Sequence, residues 1–426
     1  GTASGFGATG AVSWNTTKIT ADPGPAVTGT GYFCDTSGGA FTVTLPASPS
    51  AGDVIGVSDY AKTFDTNNLT LGRNSKPIGG VADDAVLSTE GAAVTLVYVD
   101  GTKGWIVTDS GTQSDAPIPT FITATGGNQP TAGGCVVDTD YKYHRFTGPG
   151  TFTVTCGGNA AGSNSVDYII VAGGGGGAGG NDRGAAGGAG GFVGSSGAAS
   201  GCYAAGCAPL VGPVGAFCVS ASPGAYAIVV GGGGAGAPCS PGVCSGTVGV
   251  ASSAFCVSVA GGGYGGGRAV GGNGGSGGGG GEGCFAGGSG NTPTLSPPQG
   301  RNGGIGGGPV SNGGGGGVSG LGGDATGPQA GPGGADINNS ITGSPVYYAG
   351  GGGGGAQQGT STQGAASPGG SGGAGGAVGG SPPHCGVNGT AYTGGGGGGA
   401  SNRSGGHAAG GGNGGDGVVI IRYKFQ

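Results

Sequence analysis

Over the first 170 residues, apolar and polar positions alternate in short runs with a period of two. Phe41-Thr42-Val43-Thr44-Leu45 shows the alternation of a half-buried strand, and Pro46 and Pro49 close it. Asp53-Val54-Ile55-Gly56-Val57 and Leu69-Thr70-Leu71 read as further strands. Residues 93–99 form another, followed by Asp100-Gly101, a strong tight-hairpin signal. Gly104-Trp105-Ile106-Val107 is then the returning strand, with Trp105 packed on the core. Residues 1–110 are expected to form an all-β domain. Residues 111–119, small, polar and proline-bearing, read as a linker. Beyond it, residues 141–146 and 151–155 alternate on either side of Thr147-Gly148-Pro149-Gly150, which predicts a hairpin. Residues 166–172 are a near-continuous apolar run, the pattern of a strand buried on both faces. Residues 120–172 thus read as a β-hairpin base.

The pattern changes at Gly173. Unbroken glycine runs occupy 173–177, 231–234, 277–281, 313–317, 350–355 and 394–399. Apolar islands separate them, among them Tyr226-Ala227-Ile228-Val229-Val230, Phe255-Cys256-Val257-Ser258-Val259 and Val346-Tyr347-Tyr348. The segment 418–426 begins Val418-Val419-Ile420-Ile421 and mirrors residues 168–171, so the two are expected to pair and bracket the glycine-rich domain, 173–417. No helical period of 3.6 appears, and glycine disfavours helix by about 1 kcal/mol per position; almost no α-helix is expected.

Glycine supplies 124 of the 426 residues, against roughly 7% in ordinary chains. Ordering it costs more entropy than ordering any other residue, so a flexible tether is the simplest reading. Bracketing strands, spaced apolar islands and cysteines argue against it. Collagen requires glycine at every third position, and Thr292-Pro293-Thr294-Leu295-Ser296-Pro297-Pro298-Gln299 breaks that rule. The remaining ordered option is a bundle of extended three-residue-per-turn helices, polyglycine II-like. These lack internal hydrogen bonds and must satisfy their backbone groups laterally.

Charge is sparse, with 13 Lys+Arg against 19 Asp+Glu and a net charge of -6. No basic run exists, which argues against nucleic acid or an anionic membrane as partner. No run of about 20 apolar residues exists, so no membrane insertion is expected. No basic, then apolar leader stands at Gly1, and the chain lacks Met altogether, as a processed or trimmed chain would.

The glycine motifs match G-x-G-x-x-G only through abundance; none opens a helix, and no cofactor is expected. Catalysis by a poised nucleophile needs a base and an orienting group, and only His144, His384 and His407 are available. No glycosidase-like pair of carboxylates is suggested, so an enzyme is not expected. Cys202 and Cys207, and Cys239 and Cys244, recur at equal spacing. Four zinc ligands can be assembled from them on paper, but two local disulfides are the simpler reading. Cys135 and Cys156 flank the expected hairpin as candidate cross-strand neighbours. Cys218 and Cys256 each sit in a Phe-Cys-Val island and are candidates to join each other. The chain has 11 Cys, an odd number. Tyr203, Tyr264, Phe285, Tyr347, Tyr348 and Tyr392 interrupt glycine-rich stretches and are the candidate recognition residues, since aromatic rings give large contact area at low entropic cost. Each ring could instead cap the glycine bundle.

The segment Tyr168-Ile169-Ile170-Val171-Ala172-Gly173-Gly174-Gly175-Gly176-Gly177, with the ending Gly414-Gly415-Asp416-Gly417-Val418-Val419-Ile420-Ile421-Arg422-Tyr423, resembles the glycine-rich domain of bacteriophage tail-fibre and adhesin proteins. Residues 143–154 resemble the hairpin that precedes it there. Asp35-Thr36-Ser37-Gly38-Gly39-Ala40-Phe41-Thr42-Val43-Thr44-Leu45-Pro46, with Gly52-Asp53 and Gly104-Trp105, is similar to a β domain of phage fibres. The resemblance implies packed polyglycine helices on a β base, a virion-surface or extracellular location, and tip loops that contact a host glycan or protein. It also implies association with other virion proteins and, through the β domains, a homotrimer. A filament or capsid-decoration subunit without a receptor is the alternative. An ice-binding bundle is a third, for which no regular Thr or Ala face is seen.

Overall fold

The computed structural model describes residues 12–112, 119–128, 131–180, 183–195, 197, 215–239, 242–357, 361–377, 384–401 and 408–426. All regular structure among them is β. The chain divides into two compact units, Gly1–Ile118 and Pro119–Gln426.

The first unit contains β1 (Ser13–Ile19), β2 (Thr30–Cys34), β3 (Phe41–Thr44), β4 (Val54–Asp59), β5 (Leu69–Gly72), β6 (Ala85–Leu87), β7 (Ala92–Asp100) and β8 (Gly104–Thr112). Two sheets form, in the orders β1-β2-β4-β7-β8 and β3-β5-β6. The expected strands at 41–45, 53–57, 69–71 and 93–99 are present as β3, β4, β5 and β7. The β7–β8 hairpin closes over Asp100-Gly101, with Tyr98 opposite Trp105. The Asp100 carboxylate accepts the Thr102 and Lys103 amides at 2.8 and 2.7 Å, which fixes the turn. β8 runs two residues into the stretch read as linker. Trp105 is fully buried among Phe64, Leu45, Leu69, Leu71 and Leu96, an ordinary side-chain core.

The second unit contains β9 (Ile122–Thr125), β10 (Cys135–Val137), β11 (Tyr141–Phe146), β12 (Gly150–Gly157), β13 (Ser165–Val171), β14 (Gly179–Gly180), β15 (Phe192–Gly194), β16 (Phe217–Cys218), β17 (Ala225–Ile228), β18 (Val243–Cys244), β19 (Ser252–Ala254), β20 (Val257–Val259), β21 (Ile337–Asn339), β22 (Val346–Tyr348) and β23 (Val418–Lys424). Its main sheet runs β10-β11-β23-β13-β15, with β16 also on β13. The expected pairing of the two apolar ends is present: Tyr168 lies opposite Ile421, Ile170 opposite Val419 and Val171 opposite Val418. β13 is buried on both faces, as its near-continuous apolar run requires. Tyr168 and Ile170 join a core with Phe152 and Phe255, while Ile169 and Val171 join one with Phe192, Ile341 and Tyr348.

The expected hairpin of residues 141–155 is not formed. β11 pairs with β10 and β23, whereas β12 leaves for a separate sheet, β17-β12-β9. The turn at Thr147–Gly150 carries the chain from one sheet to another. The closing strand β23 takes the edge of β11 that a hairpin would use. His144, on β11, is buried where the sheets meet. Its Nδ1–H donates to the Gly126 carbonyl at 2.7 Å, so Nε2 accepts from the Tyr423 hydroxyl at 3.0 Å. Burial holds the His144 imidazole below its ordinary range and pushes the Tyr423 phenol up to about 12.

Between β13 and β23 the chain runs back and forth as a glycine lattice. Residues 173–178 show its rule. Their amides donate in turn to Val250, Gly415, Gly188, Thr247, Gly412 and Ala185, so every third donor returns to the same neighbour. Their carbonyls accept in turn from Gly262, Gly234, Gly397, Gly265, Ala237 and Ala400. These bonds are 2.8–3.0 Å long. Donors thus reach three antiparallel segments and acceptors three parallel ones, giving six neighbours around one chain. This connectivity repeats every three residues and satisfies the backbone laterally. It requires bare backbone on all sides: a Cβ on Gly175 would lie 2.1 Å from the Gly263 oxygen, and one on Gly262 2.1 Å from the Gly188 oxygen.

The outer segments follow the same rule with one substitution. In residues 233–237, Gly234 and Ala237 donate inward to Gly174 and Gly177. The outward amides meet side chains instead: Gly233 donates to Asp416 Oδ1 at 2.9 Å, Gly236 to Asn413 Oδ1 at 2.8 Å, and Ala235 to Thr247 Oγ1 at 2.7 Å. Asn388, Asn273, Asn302 and Asp324 accept the amides of Asn413, Ser289, Gly290 and Ile305 in the same way.

Candidate recognition surface

Lattice segments enter from the sheets and reverse at the opposite, distal end. Gly173 adjoins β13, whereas Ala178 bonds to Ala185 after the chain has turned. The distal reversals bring together Arg183, Arg268 and residues 282–285 and 308–309.

One carboxylate staples three of these turns. Glu282 Oε2 lies 3.0 Å from Arg183 Nη2, and its Oε1 accepts from Arg268 Nε at 2.6 Å. The Arg183 and Glu282 side chains are each 8% exposed, while Arg268 is 58% exposed. Arg183 Nη1 also donates to the Pro309 carbonyl and to Gln357 Oε1, the latter at 3.0 Å. A buried ion pair of this kind contributes little net stability, but removal of one partner strands a buried charge. Its effect is to fix register among distant turns. The backbone is fixed as well: Gly283 and Cys284 both donate to the Gly307 carbonyl, and Phe285 O accepts from Gly306 at 2.9 Å. Cys284 adopts φ +63° in this turn.

Beside the staple lies an open, mostly apolar groove of about 460 Å³, lined by Arg268, Glu282, Gly283, Cys284, Phe285, Gly308 and Pro309. Phe285 is 38% exposed there. An apolar ring next to a half-exposed guanidinium, on a rigid backbone, suits a ligand with both an apolar face and an acceptor group.

The other described candidate aromatics do not share this surface. Tyr203, Cys202 and Cys207 lie outside the described residues, as does His407. The Tyr264 ring lies half-buried against Gly272, where a Cβ would stand 2.5 Å from Tyr264 Cδ1. Tyr348 is 3% exposed and belongs to the core under the main sheet; burial pushes its phenol up to about 12. Tyr347 is 44% exposed on β22, and the Arg145 guanidinium lies 5.6 Å from the centre of the half-exposed Tyr392 ring. Both are at the sheet end, where Ala349 donates to the Thr393 carbonyl. Among the described members of the expected set, only Phe285 reaches the distal groove. Arg183, Arg268 and Glu282 were not singled out from sequence, although charges within so uncharged a glycine region were a usable signal.

The cysteines are also rearranged. Cys135, on β10, faces Tyr143, while Cys156, on β12, faces Thr123 in another sheet, so they are not cross-strand neighbours. The Cys218 and Cys256 islands do meet, but through Phe217 and Phe255, whose rings stack at 4.7 Å; both thiols are exposed. Cys244 lies on β18 opposite Gly179. Cys239 is a thiol rather than half of a Cys239–Cys244 bridge, and the sulfur beside it is that of Cys385, at 3.7 Å. Among the described residues no group of three metal-ligating side chains converges.

Residues 146–424 match the family model described as a glycine-rich domain. No curated protein matches the sequence.

Proposed function

The chain belongs to the glycine-rich domain family through residues 146–424, and from that premise we propose that it is a non-enzymatic binding subunit of a virion fibre or adhesin, which engages a host-surface glycan or protein through the distal turns of its lattice. The observation that carries this reading is the stapled groove at Phe285. Fixed backbone, an exposed ring and a half-exposed guanidinium stand at the end of the lattice opposite the sheets. Glycine forms the scaffold and the turns carry the varied side chains, the division of labour that suits a recognition module. The side-chain-capped outer segments favour a discrete module over an open-ended filament or decoration lattice. Self-association, as a homotrimer through the β domains, and docking to other virion proteins belong to the same proposal.

The test is equilibrium binding of the labelled full chain to panels of bacterial cells and surface glycans. Saturable binding is expected, weakened about 10-fold or more by Phe285→Ala, the scale of a buried aromatic contact, with an unchanged melting midpoint. Binding that survives Phe285→Ala intact would remove the distal groove from the reading. Sedimentation into polymers without saturable binding would put the structural subunit in its place.

A further inference from the structure

We propose that Cys239 and Cys385 form a disulfide that clasps the distal end of the glycine lattice. Their sulfurs are 3.7 Å apart, although the residues are 146 positions apart in sequence. The lattice itself sets this meeting. Gly411 donates to the Ala237 carbonyl at 3.0 Å and Gly386 to the Gly410 carbonyl at 2.9 Å. The segments carrying the two cysteines therefore flank one shared segment, which holds them in place. A disulfide requires sulfurs at about 2.05 Å, so closure needs the sulfurs to approach by under about 2 Å, within reach of side-chain rotation. Cys239 is exposed and Cys385 half-buried, so a soluble oxidant has access. The proposal stands apart from any reading of what the module binds.

The chemistry is thiol–disulfide exchange with a small-molecule disulfide such as oxidised glutathione. The thiolate of one cysteine attacks a glutathione sulfur, the oxidant's S–S bond breaks, and one glutathione leaves as its thiol. The second cysteine thiolate then attacks the protein sulfur of the mixed disulfide and releases the second glutathione. Two cysteine thiols lose two electrons, and one oxidised glutathione becomes two reduced ones that carry the cysteine protons. The bridge closes a loop far longer than a local turn, and it restrains an unfolded chain made unusually disordered by glycine.

The purified full chain, equilibrated with oxidised glutathione, is alkylated, digested without reduction and analysed by mass spectrometry. A Cys239–Cys385 cross-linked peptide is expected, lighter by two hydrogens than the two thiol peptides together and lost on reduction. Oxidation should also raise the thermal midpoint by roughly 5–10 °C, and Cys385→Ser should abolish that difference. Recovery of Cys239 joined to Cys244, capped by glutathione alone, or alkylated as readily as the exposed Cys284 would overturn the proposal.

Discussion

In the first unit a buried position is a large side chain; in the glycine lattice it is bare backbone. Around Trp105, water is excluded by Phe64, Leu45, Leu69, Leu71 and Leu96, and stability comes from apolar area removed from water at about 25 cal/mol per Å². Around Gly175 there is no side chain to bury. Its amide bonds Gly188, its carbonyl accepts from Gly397, and the adjoining residues bond four other segments. Each such bond contributes a net ~0.5–1.5 kcal/mol, set against the larger entropy of ordering glycine. The contrast teaches that an interior can be specified by what is missing. The first unit needs particular shapes; the lattice needs the absence of Cβ at particular positions.

That contrast can be broken by opposite substitutions, which carry the largest expected effects. Trp105→Ala should cost the first unit about 3–5 kcal/mol through a cavity. Gly175→Ala should cost the lattice about 3 kcal/mol or more, because its Cβ would stand 2.1 Å from the Gly263 oxygen and two hydrogen-bonded segments must separate. Gly232→Ala is the control. Its nearest neighbour would be Asp416 Oδ1 at 3.6 Å, and a change within about 0.5 kcal/mol is expected. Urea unfolding with amide exchange measures all three; equal costs at Gly175 and Gly232 would sink the lattice account.

A second test separates the side-chain base of the second unit from its lattice. Burial lowers the His144 pKa from the ordinary 6.5, so the fold prefers the neutral ring. Its stabilising contribution is complete above pH 6.5 and is lost as pH falls through the lower folded-state value. Protonation would also set an Nε2–H against the Tyr423 hydroxyl, which now donates. The melting midpoint of the second unit should therefore stay level above pH 7 and decline below 6.5. His144→Gln should flatten that decline; a profile unchanged by the substitution would show that other groups control it. Apart from the Gly232→Ala control, the smallest effect is expected at the lattice margin. Asn413→Gly frees the Gly236 amide and should cost about 1 kcal/mol, while sedimentation velocity should reveal new self-association.

Much of this was legible in sequence because it rests on local period. The alternation at 41–45 and 93–99 gave strands, Asp100-Gly101 gave the hairpin turn, and the matching apolar ends gave the β13–β23 pair. Lateral bonding of glycine segments followed from the need to satisfy their backbone groups. What failed was non-local. The alternation on both sides of Thr147–Gly150 is the same for a hairpin and for a chain that changes sheets, and β23, which begins only at Val418, decides between them. Strands β1 and β2 pair in parallel, so no tight hairpin turn joins them to announce the pair. Equal spacing made Cys239 and Cys244 look like partners, but the neighbour of Cys239 is set by which lattice segments adjoin. The aromatic set was likewise assembled by residue type. Tyr348 and Phe285 interrupt glycine in the same way, yet one ends a strand in the core and the other ends a segment at the distal turns.

The Asn, Asp and Thr side chains along the outer segments set the size of the object. A hydrogen-bonded array in which each chain can receive another on any side has no natural boundary and would grow as a crystal grows, by attachment of more of the same. Here perimeter amides such as those of Gly233, Ala235 and Gly236 are already capped, so the array is held toward a fixed width. Width is then written in sequence separately from the repeating interior. A pair of new glycine segments, inserted with a turn and carrying the acceptors outward, would enlarge the array by whole rows with no repacking of those already in place.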